Sequence, residues 1–398
     1  MVNNPHLTKR LTIILAIATG LSVANIYYNQ PLLKLMAAGF RSHAQLIYAS
    51  PSATQMGYAA GLFFLVPLGD LLNRRTLILW QTAALAVSLA IFSTASSAAI
   101  VIAGSILVGI TSTVAQQIIP LAAELSRPEQ RGQVIGTVMS GLLAGILLAR
   151  TLSGFIGQYF GWRAVYTTGV VIAIALGLML FRSLPNQPQT PTSSYRDLLL
   201  SMGRMAKAYP ALRWSVMRQG ALFAAFSAFW TTLALFLAGP PYHWSSDAAG
   251  LYGILGLSGV LVAPQAGRLA DKRGPSALIF AGGLIVLVGF GVFMAFSTSA
   301  VGIGIGVVVM DAGVQMAMIA NQSVIFALEP HSRNRINTIY MSGMFLWGAV
   351  GSAIASIIWR QSGWTGVTLL GVILALLSLG SHLASRRHQG EPPTRRPA

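Results

Sequence analysis

Long apolar runs are the feature that most constrains this chain of 398 residues. A helix that crosses a bilayer needs ~20 mostly apolar residues, and about twelve such runs can be placed along the sequence. They cover positions 11–33, 46–68, 76–95, 98–122, 133–157, 164–184, 214–238, 248–270, 277–297, 299–326, 337–358 and 364–384. Only 9% of residues are charged, far fewer than a soluble enzyme or a disordered chain requires. The sequence therefore predicts an all-α membrane protein with about twelve transmembrane helices.

Basic residues are concentrated in the connections on one side of these runs. The chain holds 26 Lys and Arg against 9 Asp and Glu. With the N-terminus inside, 21 of the 26 fall in inner segments or in the inner ends of runs and 4 in outer segments, while Arg150 lies deep within a run. The positive-inside rule then places both termini in the cytoplasm. We therefore expect a multi-pass protein of the plasma membrane, or bacterial inner membrane, whose charge sets topology and does not bind nucleic acid.

A polar, proline-rich stretch separates two sets of six runs. It covers positions 185–212 and is predicted to be a cytoplasmic linker. Positions 1–184 hold the first six runs and positions 213–385 the last six. The polar tail at 386–398 is predicted to be disordered.

The second set of runs echoes the first. Met-Ser-Gly at 139–141 recurs at 341–343, and Gly-Trp at 161–162 recurs at 363–364, an offset of about 200 residues. Such a repeat predicts two pseudo-symmetric six-helix bundles. In rocker-type secondary transporters of this design, the substrate site lies near the midplane, between the bundles.

Two loops carry related motifs. After the second run, residues 66–75 read V-P-L-G-D-L-L-N-R-R, and after the eighth, residues 267–276 read G-R-L-A-D-K-R-G-P-S. Both resemble the loop motif G-x-L-A-D-R-x-G-R-R of the major facilitator superfamily. The first copy has Val66 and Asn73 at the glycine positions, and the second lacks the final basic pair. The resemblance covers nearly the whole chain and implies transport of a small molecule by a monomer without a cofactor.

The charged residues of these loops are candidate gating residues. A carboxylate at the inner end of a helix can bond basic residues and the N-terminus of a neighbouring helix. Such contacts could hold the two halves together while the protein is open outward. The alternative is that they only fix loop structure and topology. The candidates are Asp70, Arg74, Arg75, Asp271, Lys272 and Arg273.

Two ionisable residues lie well inside predicted spans, Arg150 in the fifth and Asp311 in the tenth. An intramembrane charge costs at least ~2.5 kcal/mol, so such residues are functional candidates by default. Asp311 lies near the middle of its run and would suit a carboxylate that binds and releases a proton in each cycle. The alternative for Asp311 is a static residue that is satisfied by a neighbouring helix.

Arg150 stands in a motif that resembles one of the drug:proton antiporter branch of the superfamily, G-x-x-x-G-P-x-x-G-G. Gly145 and Gly154 occupy the outer glycine positions, but Arg150 replaces the proline. The usual arginine of span four is also replaced, by Ser105. Arg150 could bind an anionic group of a substrate, pair with Asp311, or snorkel to the outer interface.

Spans one, four, seven and ten line the cavity in this family, and they carry several polar residues. Asn25 and Asn29, like Asp311 and Gln315, are spaced to share a helical face. For each amide side chain the alternative is an interhelical hydrogen bond. Tyr27 and Tyr28 either belong to this polar cluster or are interfacial aromatic residues. Besides Arg150, the substrate-binding candidates are Asn25, Asn29, Gln116, Gln219 and Gln315.

Catalytic and nucleotide-binding motifs are absent from the sequence. It contains no H-E-x-x-H, no G-x-S-x-G and no phosphate-binding loop, and it has no cysteine. No metal site is predicted, and transport would be driven by an ion gradient or by the substrate's own gradient. The first hypothesis is a proton-coupled exporter of small organic molecules. The others are a uniporter or importer of an anionic metabolite, and a non-transporting membrane receptor.

Overall fold

Helices form nearly all of the structure, a computed structural model that describes residues 8–127, 130–186, 194–256, 262, 265–266, 269, 272–329 and 332–389. Those ranges contain no β-strand. Two short 3₁₀ helices, η1 (Arg41–His43) and η2 (Val66–Asp70), flank the second predicted span. The α-helices are α1 (Lys9–Ala24), α2 (Asn29–Gly39), α3 (Ala44–Ile47), α4 (Ser50–Leu65), α5 (Arg74–Ser93), α6 (Ala98–Thr111), α7 (Val114–Leu125), α8 (Arg131–Phe160), α9 (Trp162–Ser183), α10 (Tyr195–Ala208), α11 (Pro210–Leu237), α12 (Ser246–Leu255), α13 (Pro275–Ala295), α14 (Ala300–Phe326) and α15 (Arg333–Gln389).

Nine helical segments of the described chain are long and apolar enough to cross a membrane. This confirms the prediction of an all-helical membrane protein. One of the nine, Arg333–Arg386, contains the last two predicted runs, which meet at a non-helical Gly363 with φ 55°. The eighth predicted run falls partly outside the described residues, and α4 has only 16 residues. The count of twelve spans and their division into two bundles stay predictions.

The first predicted span is broken at residues 25–28, between α1 and α2. The amide of Ile26 donates to the carbonyl of Val23, and that of Tyr27 to Ala24, so the α-helical pattern stops there. The side chain of Asn25 donates to the carbonyl of Leu21 at 2.8 Å. The break therefore falls within the polar cluster that the sequence shows, and it separates Asn25 from Asn29.

Glycines let several helices approach one another at backbone distance. Gly141 and Gly145 of α8 lie against Ala16 and Gly20 of α1, so that a Cβ atom on either α8 glycine would meet backbone atoms of α1. Lipid supplies no hydrophobic driving force between helices, and close packing of this kind is what holds them together. Helices α1 and α8 therefore form one tightly packed pair.

Hydrogen bonds join the first 184 residues to those after 212 at the predicted outer end. Lys34 Nζ donates to the carbonyl of Ala238 at 3.3 Å, and Ser356 Oγ donates to the carbonyl of Tyr48 at 2.9 Å. The helices that meet here are α2 with α11 and α12, α4 with α15, and α8 with α12. The predicted outer end is therefore closed by direct contacts.

The predicted linker contains α10, which touches both parts of the chain. Tyr195 Oη donates to the carbonyl of Phe64 at the end of α4 at 2.8 Å, and Arg335 of α15 donates to Ser201 Oγ at 3.4 Å. Leu198 and Met202 are the buried residues of α10. The predicted tail begins within α15, which extends to Gln389; residues 390–398 lie outside the described residues.

Single cysteines would test the predicted orientation, because the chain has none of its own. Ser42 is exposed at the predicted outer end and Ser276 at the predicted inner end. In intact cells, a membrane-impermeant maleimide should label Ser42→Cys and leave Ser276→Cys unlabelled until the membrane is opened. The unmodified protein is the control, and the reverse pattern would place both termini outside.

A methyl group at Gly145 should disrupt the contact of α8 with α1. Gly145→Ala is expected to lower stability by about 1–3 kcal/mol, because the backbone of α1 cannot give way as a side chain could. The measurement is the thermal midpoint of the purified protein. Gly136→Ala, on the same helix but with no atom within 4 Å of a new Cβ, is the matched control and should leave the midpoint unchanged or slightly higher. Equal midpoints for the two variants would contradict the packing argument.

Candidate functional site

Arg150 lies on α8 inside a cage of aromatic rings. Its guanidinium carbon is 4.0 Å from the ring centre of Trp230, 4.6 Å from that of Tyr27 and 5.6 Å from that of Phe226. Its Nε donates to Gln30 Oε1 at 2.7 Å, and the residue is 2% exposed. This burial places the guanidinium in the protein interior, and not in the snorkelling position at the outer interface. We call Tyr27, Phe226 and Trp230 the aromatic cage.

The cage combines residues from both parts of the chain. Tyr27 lies in the break between α1 and α2, whereas Phe226 and Trp230 lie one turn apart on α11. Each cation–π contact contributes roughly 0.5–2 kcal/mol, depending on desolvation. The rings therefore offset part of the cost of removing the guanidinium from water without neutralising its charge.

Asp311 lies near the middle of α14, beside the same indole. The carboxyl group is 8% exposed, and its Oδ1 is buried without a hydrogen-bond partner among the described residues. The indole N–H of Trp230 lies next to this carboxyl without closing a hydrogen bond of ordinary geometry. Trp230 therefore has the cation on its face and the carboxyl group at its N–H.

Two glycines at the C-terminal end of α12, Gly253 and the C-cap residue Gly256, lie against Arg150 and Asp311. A Cβ atom on Gly253 would lie 3.0 Å from Cβ of Arg150, and one on Gly256 would lie 2.9 Å from Oδ2 of Asp311. Residues three apart are neighbours on a helix surface. The two charges interact electrostatically, yet their N and O atoms are not within the 4.0 Å of an ion pair. The structure thus brings the two intramembrane charges of the sequence into one region, unpaired.

The two candidate asparagines point towards different helices. Asn29 donates to Ser50 Oγ at 3.2 Å and to Thr54 Oγ1 at 3.0 Å, both on α4. Asn25 turns its Oδ1 towards Gly169 of α9. That they share a helical face stays a prediction; a turn at residues 25–28 lies between them, and their side chains face different helices. Both are buried and engage neighbouring elements of the first part of the chain.

The candidate glutamines are also dispersed. Gln116 is half-buried on α7, and its Nε2 lies 3.4 Å from Tyr58 Oη. Gln219 of α11 is fully buried and donates to the carbonyl of Val314 at 3.3 Å. Gln315 is half-buried one turn after Asp311 on α14. Gln219 and Gln315 thus lie on the helices that carry the site, while Gln116 lies on the helix of the fourth predicted span.

Arg74 is the centre of an ion-pair network at the predicted inner end. Its Nη2 lies 3.2 Å from Asp70 Oδ1 and 3.0 Å from Glu124 Oε1. Arg75 instead donates from Nη2 to the carbonyl of Phe181 at 2.8 Å, in the last turn of α9. All these contacts lie within the first part of the chain. They fix the loop between α4 and α5, and η2 in turn packs against α10 and α15.

The second loop motif is described only in part. Lys272 and Arg273 are exposed, and Asp271 lies outside the described residues. The structure therefore places three of the six gating candidates, Asp70, Arg74 and Arg75, in defined contacts.

Three residues of the site were not among those that the sequence predicts. Gln30 and Phe226 contact Arg150, and Trp230 lies beside both Arg150 and Asp311. Aromatic residues are ordinary in apolar spans, so neither ring stands out alone. The available signal was their spacing, since Phe226 and Trp230 share one face of the seventh span. In the described chain, no cluster of three His, Cys, Asp or Glu side chains could hold a metal ion.

The sequence is similar to that of known membrane transporters. A family profile described as Major Facilitator Superfamily matches residues 15–328. The chain is 41% identical over 376 residues to the uncharacterized transporter YgaY of Escherichia coli O157:H7, covering 94% of this chain and 95% of the relative. It is 33% identical over 355 residues to a probable transporter of Streptomyces coelicolor, covering 89% and 82%.

A solved structure shares the fold. The crystal structure of a bacterial homolog to the human lysosomal transporter Spinster, in an inward-facing and unoccupied conformation, superposes with a TM-score of 0.72. The alignment covers 98% of this chain and 100% of that one at 16% sequence identity.

Replacing the caged cation should not destabilise the protein. Arg150→Met keeps apolar volume in the cage and removes a buried charge that has no ion-pair partner among the described residues. The desolvation cost avoided, several kcal/mol for a buried ion, should offset the cation–π contacts that are lost. We expect a thermal midpoint at or above that of the unmodified protein.

Arg163→Met is the control for this prediction. Arg163 donates to the carbonyl of Ala95 at 2.8 Å and stacks on Trp162 at 4.2 Å, at the predicted outer interface. Loss of these contacts should lower the free energy of unfolding by about 1–2 kcal/mol, and with it the thermal midpoint. An equal fall in both variants would show that Arg150 is a structural residue.

Proposed function

The chain belongs to the major facilitator superfamily, and we propose that it is a proton-coupled secondary transporter that exports small organic molecules by rocker-switch alternating access. Family membership and the named relatives make it a multi-pass membrane transporter and not an enzyme. Proton coupling, export and a bacterial inner-membrane location with both termini in the cytoplasm are part of the proposal.

The observation that carries the proposal is the state of Asp311. A carboxyl group buried in the middle of a spanning helix, with an unpartnered oxygen and no ion pair, is costly to keep ionised. Such a group is readily discharged by a proton and recharged when water reaches it. Asp311 is therefore our candidate for the proton carrier, and Arg150 lies close enough for its charge to influence the exchange.

Alternating access is supported by the distribution of contacts. Within the predicted spans, Gln55 of α4 donates to Ser352 Oγ at 3.2 Å and accepts from Ser227 Oγ at 3.2 Å. Thr151 Oγ1 of α8 donates to the carbonyl of Gly250 at 2.9 Å. These bonds link the two parts of the chain at the depth of the charged site, and the bonds of Lys34 to Ala238 and of Ser356 to Tyr48 link them closer to the predicted outer end. Breaking them would open the site to the outside.

The gate at the inner end would involve the loop motifs. In this proposal, Asp70, Arg74 and Arg75 set the shape of the first loop, while Asp271, Lys272 and Arg273 act from the second. Export is favoured by the resemblance of the fifth span to that of the drug antiporters, with the departure at Arg150 noted above.

A second candidate function rests on Arg150. Its Nη2 is buried and has no hydrogen-bond partner in the described part of the chain. A guanidinium binds carboxylate or phosphate in a fork geometry. This favours a uniporter or importer of an anionic metabolite, with Asn25, Asn29, Gln116, Gln219 and Gln315 as polar contacts along the path.

Removing the titratable carboxyl group should uncouple proton movement. In everted vesicles that hold a pH gradient, compounds exchanged by the unmodified protein should partly collapse the gradient, as followed by a pH-sensitive dye. Asp311→Asn should abolish this collapse, because the side chain can no longer carry a proton, while counterflow of the same compounds persists.

Asp197→Asn is the matched control, since Asp197 is exposed in the first turn of α10. Its backbone amide donates to Oγ of Ser194, the N-cap residue, and this bond does not depend on the carboxyl group. It should behave as the unmodified protein does. Full proton movement in Asp311→Asn would exclude Asp311 as the carrier. Counterflow of anions without proton movement in any variant would favour the uniporter instead.

A further inference from the structure

The site contains two unsatisfied groups of opposite kind. Among the residues that the structure describes, Nη2 of Arg150 is a buried donor without an acceptor, and Oδ1 of Asp311 is a buried acceptor without a hydrogen bond. An unpartnered buried polar atom destabilises a protein more than an ordinary hydrogen bond stabilises it. Two such atoms beside one indole ring therefore indicate a ligand that supplies both an acceptor and a donor.

The described part of the chain does not satisfy these groups. Nε of Arg150 is occupied by Gln30, while the carboxyl of Asp311 stays beyond ion-pair distance of the guanidinium. Trp230 holds the two charges apart, because its ring face lies 4.0 Å from the guanidinium carbon and its N–H lies beside the carboxyl. Gly253 and Gly256 leave room for Arg150 and Asp311 to lie against the C-terminal end of α12.

A singly charged ligand fits this arrangement poorly. An anion would pair with Arg150 but would leave Oδ1 of Asp311 unsatisfied and be repelled by it. An organic cation would pair with Asp311 and would face the guanidinium at short range. A molecule with both charges satisfies both groups and carries no net charge into a region of low dielectric.

We propose that the substrate is a small zwitterion, whose carboxylate pairs with Arg150 and whose ammonium group pairs with Asp311, with its apolar body against the aromatic cage. This inference rests on the proposed function for the location of the transport site. It adds the chemical class of the substrate, and it assigns to Trp230 the role of a spacer that sets the separation of the two charges.

Equilibrium binding to the purified full-length chain in nanodiscs, at one pH and without any gradient, tests the proposal. The probes are matched sets with one body each: phenylalanine, its methyl ester and its N-acetyl derivative, and the same three forms of leucine. The amino acids are zwitterions, the esters cations and the N-acetyl compounds anions. In at least one set the zwitterion should bind about tenfold or more tightly than either singly charged form.

Two variants should shift this preference in opposite directions. Arg150→Gln should bind the ester at least as well as the zwitterion, and Asp311→Asn should do the same with the N-acetyl compound. Arg163→Gln, which alters an exposed arginine outside the cage, should keep the preference for the zwitterion and controls for altered folding. Equal binding of a singly charged form by the unmodified protein, no binding of any probe, or an unchanged preference in both site variants would overturn the proposal.

The two proposals fail separately. Tight binding of a zwitterion that never moves protons in the vesicle experiment would leave the substrate class standing and remove proton coupling. Gradient-driven transport of only the esters or only the N-acetyl compounds would leave coupled transport standing and remove the zwitterion.

Discussion

A solvent without hydrogen-bonding capacity is the constraint on which this structure depends. In the bilayer interior each backbone amide must find a partner within the protein, and helices provide it. Because lipid does not drive helices together, their association relies on close contact, which Gly20, Gly141 and Gly145 supply between α1 and α8. The same solvent makes every buried charge expensive, and the charges that remain in the spans define where chemistry can occur.

Aromatic rings make the burial of Arg150 tolerable. Three rings surround its guanidinium and one amide oxygen accepts from it, and none of these carries a negative charge. The cation therefore keeps its charge and its electrostatic reach. A carboxylate in direct contact would neutralise the charge of Arg150. If Asp311 made that contact, it would be a structural counter-ion.

Much of this arrangement could be predicted from the sequence. Apolar runs identified a helical membrane protein, the loop motifs indicated the family, and hydropathy alone singled out Arg150 and Asp311. Their partners could not be found in this way, because Phe226 and Trp230 are unremarkable in an apolar span and Gln30 lies far from Arg150 in the chain. Neither could the break at residues 25–28, since Asn25 and Asn29 have a spacing that an unbroken helix would also show.

Helix α8 packs against α1 on one side and against α12 on the other, and in both contacts backbone meets backbone. The carbonyl group of Arg150 itself lies in the second contact, where a Cβ atom on Gly250 would come within 2.7 Å of it. The contact between α8 and α12 therefore also covers the backbone of Arg150. Separation of α8 from α12 would let water reach Arg150 and screen its charge at Asp311. One helix movement would therefore change the electrostatics of the whole site.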